Sequence, residues 1–322
     1  MKKIGVLTSG GDAPGMNACI RAIVRYGIGR GLEVTGIRGG YRGMLSKDVL
    51  ELDSRSVANI IQHGGTILET ARCDEMKTEE GIRRAYATLN SEGIEGLITI
   101  GGDGTFRGAA ALTEAGDVKI IGVPGTIDND VYGTDYTIGF DTAVNTALGA
   151  IDKIRDTAGS LQRPFFVEVM GKTSGFIALE VGIAGGAEGI LIPELPTKIE
   201  QISSDISRSL KKGKKSLIVI VAEGDEAGGA FSIAQQVWQR LRLEYRICVL
   251  GHVQRGGCPT ARDRVLASKL GAAAVDALLE GKGGYAVGEF KGEITLTPLR
   301  DTWEKKKDLD AHSLRLVKEL AG

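Results

Sequence analysis

The sequence predicts an α/β protein of two doubly wound lobes, each with a mainly parallel sheet flanked by helices. Three observations carry that prediction. Strand-like and helix-like segments alternate from one end of the chain to the other, as βαβ units require. At 322 residues the chain is too long for one ordinary core and suits two. Many of its 47 glycines stand where an apolar strand ends, the place where open α/β sheets take their ligands.

The elements follow in order. Lys3–Leu7 is an apolar run that reads as the first strand, with Gly10-Gly-Asp-Ala-Pro-Gly15 as its loop. Met16, Ile20, Ile23 and Val24 share one face of the next helix, which stops near Gly27–Gly31. Later strands read at Gly96–Ile100, Lys119–Val123, Phe165–Met170, Ile190–Ile192, Leu217–Ala222 and Ile247–Leu250. Phe140, Val144, Ala147, Leu148, Ile151 and Ile154 keep helical spacing. Thr197-Lys-Ile-Glu200 has the pattern of a capping box opening another helix, with Ile199, Ile202, Ile206 and Leu210 on its buried face. Arg262–Glu280 is a third clear helix. With no short-period repeat, low-complexity tract or Pro-rich linker, composition does not mark where the lobes divide.

Bulk properties exclude several classes. A formal net charge of -1 with 25% charged residues gives no field for nucleic acid or a membrane surface, so any basic site must be local. Cys19, Cys73, Cys248 and Cys258 lie far apart without a C-x-x-C pair. Four such thiols, together with an N-terminus that enters a strand at once, predict a cytoplasmic location. No apolar run is long enough to span a bilayer.

The chemistry concentrates in the loops. Ile98-Thr-Ile-Gly-Gly-Asp-Gly-Thr105 and Ile121-Gly-Val-Pro-Gly-Thr-Ile-Asp-Asn-Asp130 share one plan: a buried run, then glycines, then carboxylates. With Leu7–Gly15 they form three glycine loops expected along one sheet edge, where backbone amides and helix N-termini can cradle phosphate. Asp128 and Asp130 flank Asn129, which is also ordinary turn chemistry. Like charges so close disfavour each other unless a cation or proton intervenes. A metal ion shared with Asp103 would relieve this and leave one aspartate as a base, which points to phosphoryl transfer. Gly171-Lys-Thr173 is not a Walker A motif, because Phe166 stands where the first glycine is needed. Gly27–Gly31 ends a helix and is a C-cap, not a dinucleotide fingerprint. Arg21 and Arg25, one turn apart, and the Lys211–Lys215 run read first as solvated surface. Gly251-His-Val-Gln-Arg-Gly-Gly257, with Arg246 just ahead, suits a sugar phosphate.

Taken together, TSGGDAPGMN, ETAR, GGDGT, PGTIDND, EVMG and GHVQRGG resemble the ATP-dependent 6-phosphofructokinases of bacterial type, from Met1 to about Gly288. That resemblance implies an enzyme that moves the γ-phosphoryl of MgATP to O1 of fructose 6-phosphate, the committing step of glycolysis. The implied lobes are 1–139 plus 253–304 for nucleotide and 140–252 plus 305–322 for sugar phosphate, with the active site in the cleft between them. Gly11, Arg72, Cys73, Gly102, Asp103, Gly104 and Thr105 would hold ATP, and Asp103 would hold Mg²⁺. Asp128 would be the general base, with Thr126 and Ile127 beside it, Asp130 supporting the metal and Arg72 stabilising the transferring group. Arg163, Arg246, His252 and Arg255 would grip the 6-phosphate, and Met170, Gly171, Lys172 and Glu223 would shape the sugar pocket. The family resemblance further implies a homotetramer in which Arg163 and Arg246 reach in from a neighbour.

It also implies an effector site for ADP or phosphoenolpyruvate, matched by Arg21, Arg25, Arg55, Arg155, Gly186, Glu188, Lys212 and Lys214. Two departures stand out. Ser54 occupies an expected effector arginine, with Arg55 next to it, and Lys172 replaces the arginine of the usual MGR, which keeps charge but loses the planar fork. Pyrophosphate-using relatives typically carry Asp at Gly104 and Lys at Gly125, so two glycines favour ATP. Pyrophosphate chemistry, another kinase with GGDGT such as an NAD kinase, and a non-catalytic metabolite sensor are the competing readings. PGTIDND with GHVQRGG weighs against the NAD kinase, and Asp103, Asp128 and Arg72 weigh against the sensor.

Overall fold

The computed structural model describes residues 1–161 and 163–320. Residues 321–322, assigned above to the second lobe, lie outside the described residues. In chain order the elements are β1 (Lys3–Thr8), α1 (Met16–Gly29), β2 (Glu33–Ile37), α2 (Gly40–Ser46), β3 (Val49–Leu52), α3 (Glu79–Ser91), β4 (Gly96–Gly101), α4 (Asp103–Glu114), β5 (Lys119–Pro124) and α5 (Phe140–Leu161). There follow β6 (Pro164–Val169), α6 (Phe176–Ala184), β7 (Gly189–Leu191), α7 (Ile199–Lys211), β8 (Leu217–Ala222), α8 (Gly229–Leu241), β9 (Arg246–Val249), α9 (Ala261–Leu279), β10 (Tyr285–Phe290), β11 (Glu293–Pro298), α10 (Asp301–Glu304) and α11 (Ala311–Leu320). The chain forms two compact units, one of residues 1–126, 131–142 and 255–307, the other of 127–130, 143–254 and 308–322.

The first unit is built on a seven-stranded sheet of order β11-β10-β5-β4-β1-β2-β3 among the described residues. β1 pairs in parallel with both β2 and β4, β4 with β5, and β5 with β10, while β3 and β11 are antiparallel edges. Strand order reverses at β1, so β1 and β4 flank a topological switch point, where such sheets open a crevice at their carboxyl ends. β1 and β4 are buried along almost their whole length, which explains their unbroken apolar sequence. Phe106, Leu97, Leu112 and Ile120 pack in one core. On another face α1 lies against α9, and a side chain at Gly271 would meet Ala22 Cβ and Cys19 O at 3.0 Å, so glycine lets the two helices close up.

The second unit holds a fully parallel four-stranded sheet of order β7-β8-β6-β9. Phe166, Val219 and Val221 of its centre pack under Ile199 and Ile206 of α7 and Ile233 and Val237 of α8. The capping box expected at Thr197–Glu200 does not form. Lys198 is the N-cap of α7, and the Thr197 hydroxyl donates to Asp225 Oδ2 at 2.7 Å, a tertiary acceptor that outcompetes the helix's own amides for this side chain. Among the described residues, no helix is long and apolar enough to cross a membrane.

Candidate active site

In the first unit the parallel order β5-β4-β1 puts three glycine loops side by side at one sheet edge. They are knitted by hydrogen bonds. Ser9 N donates to Ile100 O at 3.0 Å and Thr105 Oγ1 to Ser9 O at 2.9 Å. Gly125 N donates to Gly101 O at 2.9 Å. Thr105 is therefore a buried strut between loops, whereas Gly104 is exposed and a Cβ there would meet nothing. α4 starts at N-cap Gly102, which has no side chain to cap the helix and leaves its amides to another acceptor. Thr70 Oγ1 donates to Gly10 O at 2.8 Å, which brings the stretch carrying Arg72 and Cys73 to the first glycine loop. Arg72 is exposed at the surface of that stretch, only partly covered by its neighbours. The Cys73 thiol is pushed up by burial and by its bond to Glu75. Arg255 lies over this loop, its Nη1 donating to Asp12 O at 3.1 Å and occupying the space that a Gly11 Cβ would need. A side chain at position 11 would have to displace the Arg255 guanidinium.

Asp103 opens α4 with its side chain 37% exposed, and Oδ1 accepts from Arg107 Nε at 2.6 Å. Among the described residues no three His, Cys, Asp or Glu side chains gather as a metal cage. A hard-oxygen carboxylate at an uncapped helix N-terminus nevertheless fits Mg²⁺, which is commonly held by one or two carboxylates and a substrate's phosphates.

In the second unit the carboxyl ends of β6, β8 and β9 converge on a bonded cluster. Asp128 is 7% exposed, and Asn129 takes the left-handed conformation (φ 55°) between it and Asp130. Ser174 Oγ is shared between Asp128 O at 2.9 Å and Gly171 O at 3.0 Å. Lys172, also left-handed at φ 55°, donates its N–H to Glu223 Oε1 at 2.7 Å, and Glu223 N donates to Val169 O at 2.9 Å. Gly171 has φ 142°, a conformation that side chains rarely take. Met170 N donates to Gln254 Oε1 at 2.8 Å, and this wholly buried glutamine ties the Met170–Lys172 turn to the His252 turn. Thus Asp128, Met170, Gly171, Lys172, Glu223 and His252 belong to one neighbourhood, with Ile127 fully buried beneath. The sequence reading missed Ser174 and Gln254. The only signal was a polar residue inside MGKTS and inside GHVQRGG.

Arg163 and Arg246 are placed elsewhere. They stand at the amino ends of β6 and β9, where Phe165 pairs with Arg246. Six strand residues at about 3.3 Å each put them roughly 20 Å from the Met170 end. Arg163 pairs with Glu244 at 2.5 Å. The basic positions also sort by unit. Arg25 reaches Ser54 O at 3.4 Å, beside exposed Arg55, and partly buried Arg21 lies one turn before it. Separately, Arg155 bonds Gly185 O at 2.5 Å and Gly186 O at 2.9 Å, and both it and Lys214 lie 3.9 Å from Glu188. Lys212 caps α7 nearby. A cavity of about 660 Å³ between β7 and α7 borders Glu188 but none of the Asp128 cluster.

Residues 3–278 match the family model described as Phosphofructokinase. Over 321 residues, covering 100% of both chains, this chain is 60% identical to the ATP-dependent 6-phosphofructokinase 1 of Thermus thermophilus. It is 52% identical, again over the full length of both, to the ATP-dependent 6-phosphofructokinase of Shouchella clausii. Among solved structures it is similar to phosphofructokinase from Saccharomyces cerevisiae, with a TM-score of 0.89 and 35% identity; it spans 48% of that chain. The fold also matches a pyrophosphate-dependent phosphofructokinase from Marinobacter aquaeolei, covering 92% of that chain, at a TM-score of 0.86 and 22% identity. A match over most of the chain, full-length relatives at this identity and the glycine-loop edge of the first sheet agree: the chain belongs to the phosphofructokinase family.

Proposed function

We propose that this protein transfers the γ-phosphoryl group of MgATP to O1 of fructose 6-phosphate, giving fructose 1,6-bisphosphate and ADP. The bonded cluster around Asp128 is the observation that carries the reading. Ser174 holds the backbone carbonyl of buried Asp128 to the same turn that, through Glu223 and Gln254, carries the sugar-binding residues. Asp128 takes the proton of the 1-hydroxyl, and Met170, Gly171, Lys172, Glu223 and His252 hold the sugar so that this hydroxyl faces it. Arg72 and the amides at Gly102–Gly104 stabilise charge on the phosphoryl group, with Thr105 bracing the loop, Gly11 and Cys73 flanking the nucleotide and Arg255 reaching over Gly11. Asp103 would hold Mg²⁺, with Asp130 in support, and the ion when bound would neutralise phosphate charge. A coupled assay for fructose 1,6-bisphosphate with purified protein tests the reading. Absence of product from MgATP and fructose 6-phosphate defeats it.

The donor follows from Gly104. An aspartate there would project into open space and set a negative charge beside the nucleotide's phosphates, where like charges near a surface repel by a few kcal/mol. Gly104→Asp is expected to raise the KM for MgATP at least about tenfold with an unchanged unfolding midpoint. An unchanged KM would remove Gly104 from donor choice. Gly125 does not support the same argument. Its Cβ would strike Ile100 Cγ2 at 2.8 Å and Met16 Cε at 3.2 Å, so it is a packing glycine in this fold.

Lys172 offers one compact charge where the family has a fork. Lys172→Arg is expected to lower the KM for fructose 6-phosphate severalfold while kcat holds. Identical kinetics would make the departure irrelevant.

The grip on the 6-phosphate is completed by assembly. With Arg163 and Arg246 at the opposite ends of their strands from Glu223, a homotetramer supplies them from a neighbouring copy. Effector contacts for ADP or phosphoenolpyruvate come from two sets of residues, Arg21, Arg25 and Arg55 in the first unit and Arg155, Gly186, Glu188, Lys212 and Lys214 in the second. The protein works in the cytoplasm.

A further inference from the structure

Asp263 is 1% exposed and sits in the first turn of α9, with burial pushing its carboxyl up from the usual range. Its oxygens cap a different helix. Oδ1 accepts Gly139 N at 2.9 Å, and Oδ2 accepts Thr142 N at 2.8 Å and Thr142 Oγ1 at 2.5 Å, all at the start of α5. The Thr142 hydroxyl oxygen in turn accepts the N–H of Thr260, the N-cap of α9, at 3.0 Å. Thr260 Oγ1 donates back to Asp141 Oδ2 at 2.6 Å. Two helix N-termini thus cap each other through one buried carboxylate, with helix ends supplying the favourable field.

What this node holds is the chemistry-bearing edge. Ile138 N donates to Pro124 O at 2.9 Å, and Thr137 Oγ1 donates to Thr126 O at 2.6 Å. On the other side, a Cβ at Gly15 would lie 2.6 Å from Ile138 Cγ2, and one at Gly139 would lie 2.7 Å from Ala13 Cβ. Residues 137–139 are therefore pinned between the first glycine loop and Pro124–Thr126, and Asp263 fixes their far end. Asp128 follows Thr126 by two residues along the chain.

From this we infer that Asp263 is a positioning residue for the phosphoryl transfer proposed above, setting the register of the Ala13–Gly15 and Pro124–Thr126 loops through Gly139 and Thr142. The inference rests on that functional reading. Asp263→Asn keeps the shape but turns an amide NH₂ or a single carbonyl toward three donors, so the cap cannot be satisfied. Thr142→Val removes the relay hydroxyl, and Thr142→Ser restores it.

Since a misplacement of about 1 Å can cost about a hundredfold, D263N and T142V are expected to lose roughly 10- to 100-fold in kcat. The KM values for both substrates should stay within about twofold, and T142S should match the wild type. Kinetics are referred to the folded fraction, measured by thermal unfolding of the same samples. Wild-type kcat in D263N overturns the proposal, as does a loss that only follows the unfolded fraction or appears equally in KM. If D263N fails to fold, T142V, which deletes one hydroxyl, decides by the same criteria. A wild type that forms no fructose 1,6-bisphosphate removes the functional reading itself, an outcome distinct from an active wild type beside an unaffected D263N.

Discussion

Asp128→Asn is expected to lower kcat by roughly 10²–10⁴ with little change in the KM for either substrate. The substitution is close in shape, and the position is held through its backbone, because Ser174 bonds the Asp128 carbonyl and not the carboxylate. Asparagine therefore keeps the Ser174 bond and removes the capacity to take a proton. The loss should persist in single-turnover measurements, where product release plays no part. A variant whose single-turnover rate equals that of the parent chain would strip Asp128 of its assigned role. An equal loss in kcat and in affinity would instead mark it as a substrate-binding group.

Arg72→Ala should cost about 10²–10³ in kcat, the usual effect of deleting one donor aimed at developing charge. The residue lies outside the core, in an irregular stretch that Thr70 ties to Gly10, so its removal disturbs no packing of the sheet. Stability should be unchanged. Arg72→Lys separates charge from geometry: an ammonium keeps the positive field but cannot present two parallel donors. An intermediate kcat for lysine, with the unfolding midpoint constant across all three proteins, is the expected series. An alanine variant that turns over as fast as the parent chain would exclude Arg72 from the transition state.

Much of the fold was legible because its central strands are buried on both faces. β4, β5, β6 and β8 are runs of Ile, Leu, Val and Phe closed by glycine or by a turn, and their predicted limits fall within a residue of those observed. β2 and β3 were not read. β2 carries Gly36 in its interior and β3 spans only four residues, so neither gives a periodic signal. The β10–β11 hairpin was missed despite a cue: Lys291 and Gly292, at φ 52° and 84°, form the left-handed two-residue turn that hairpins favour.

Motifs located the candidate site better than they described it. Gly-Gly-Asp-Gly-Thr marks a strand-to-helix loop whatever its ligand, yet which residue faces outward depends on neighbours far along the chain. Thr105 turned inward to Ser9, Thr197 was captured by Asp225, and Gln254 found Met170. Each of these bonds joins residues remote in sequence, which no local pattern can specify. Asp263 was hidden for the same reason. It reads as an ordinary first-turn acid of its own helix, although it serves another.

The contrast between Gly104 and Gly125 also orders the mutational routes open to a descendant lineage. Position 104 accepts a side chain at once, so on the donor reading proposed above a first step away from adenine nucleotides would need a single neutral-to-folding change there. Position 125 is closed until Ile100 shrinks, so a lysine there has to come later and in company. Reversal then becomes asymmetric: once the surrounding core has been refilled, restoring glycine at 125 leaves a void, and the ancestral donor is no longer one substitution away.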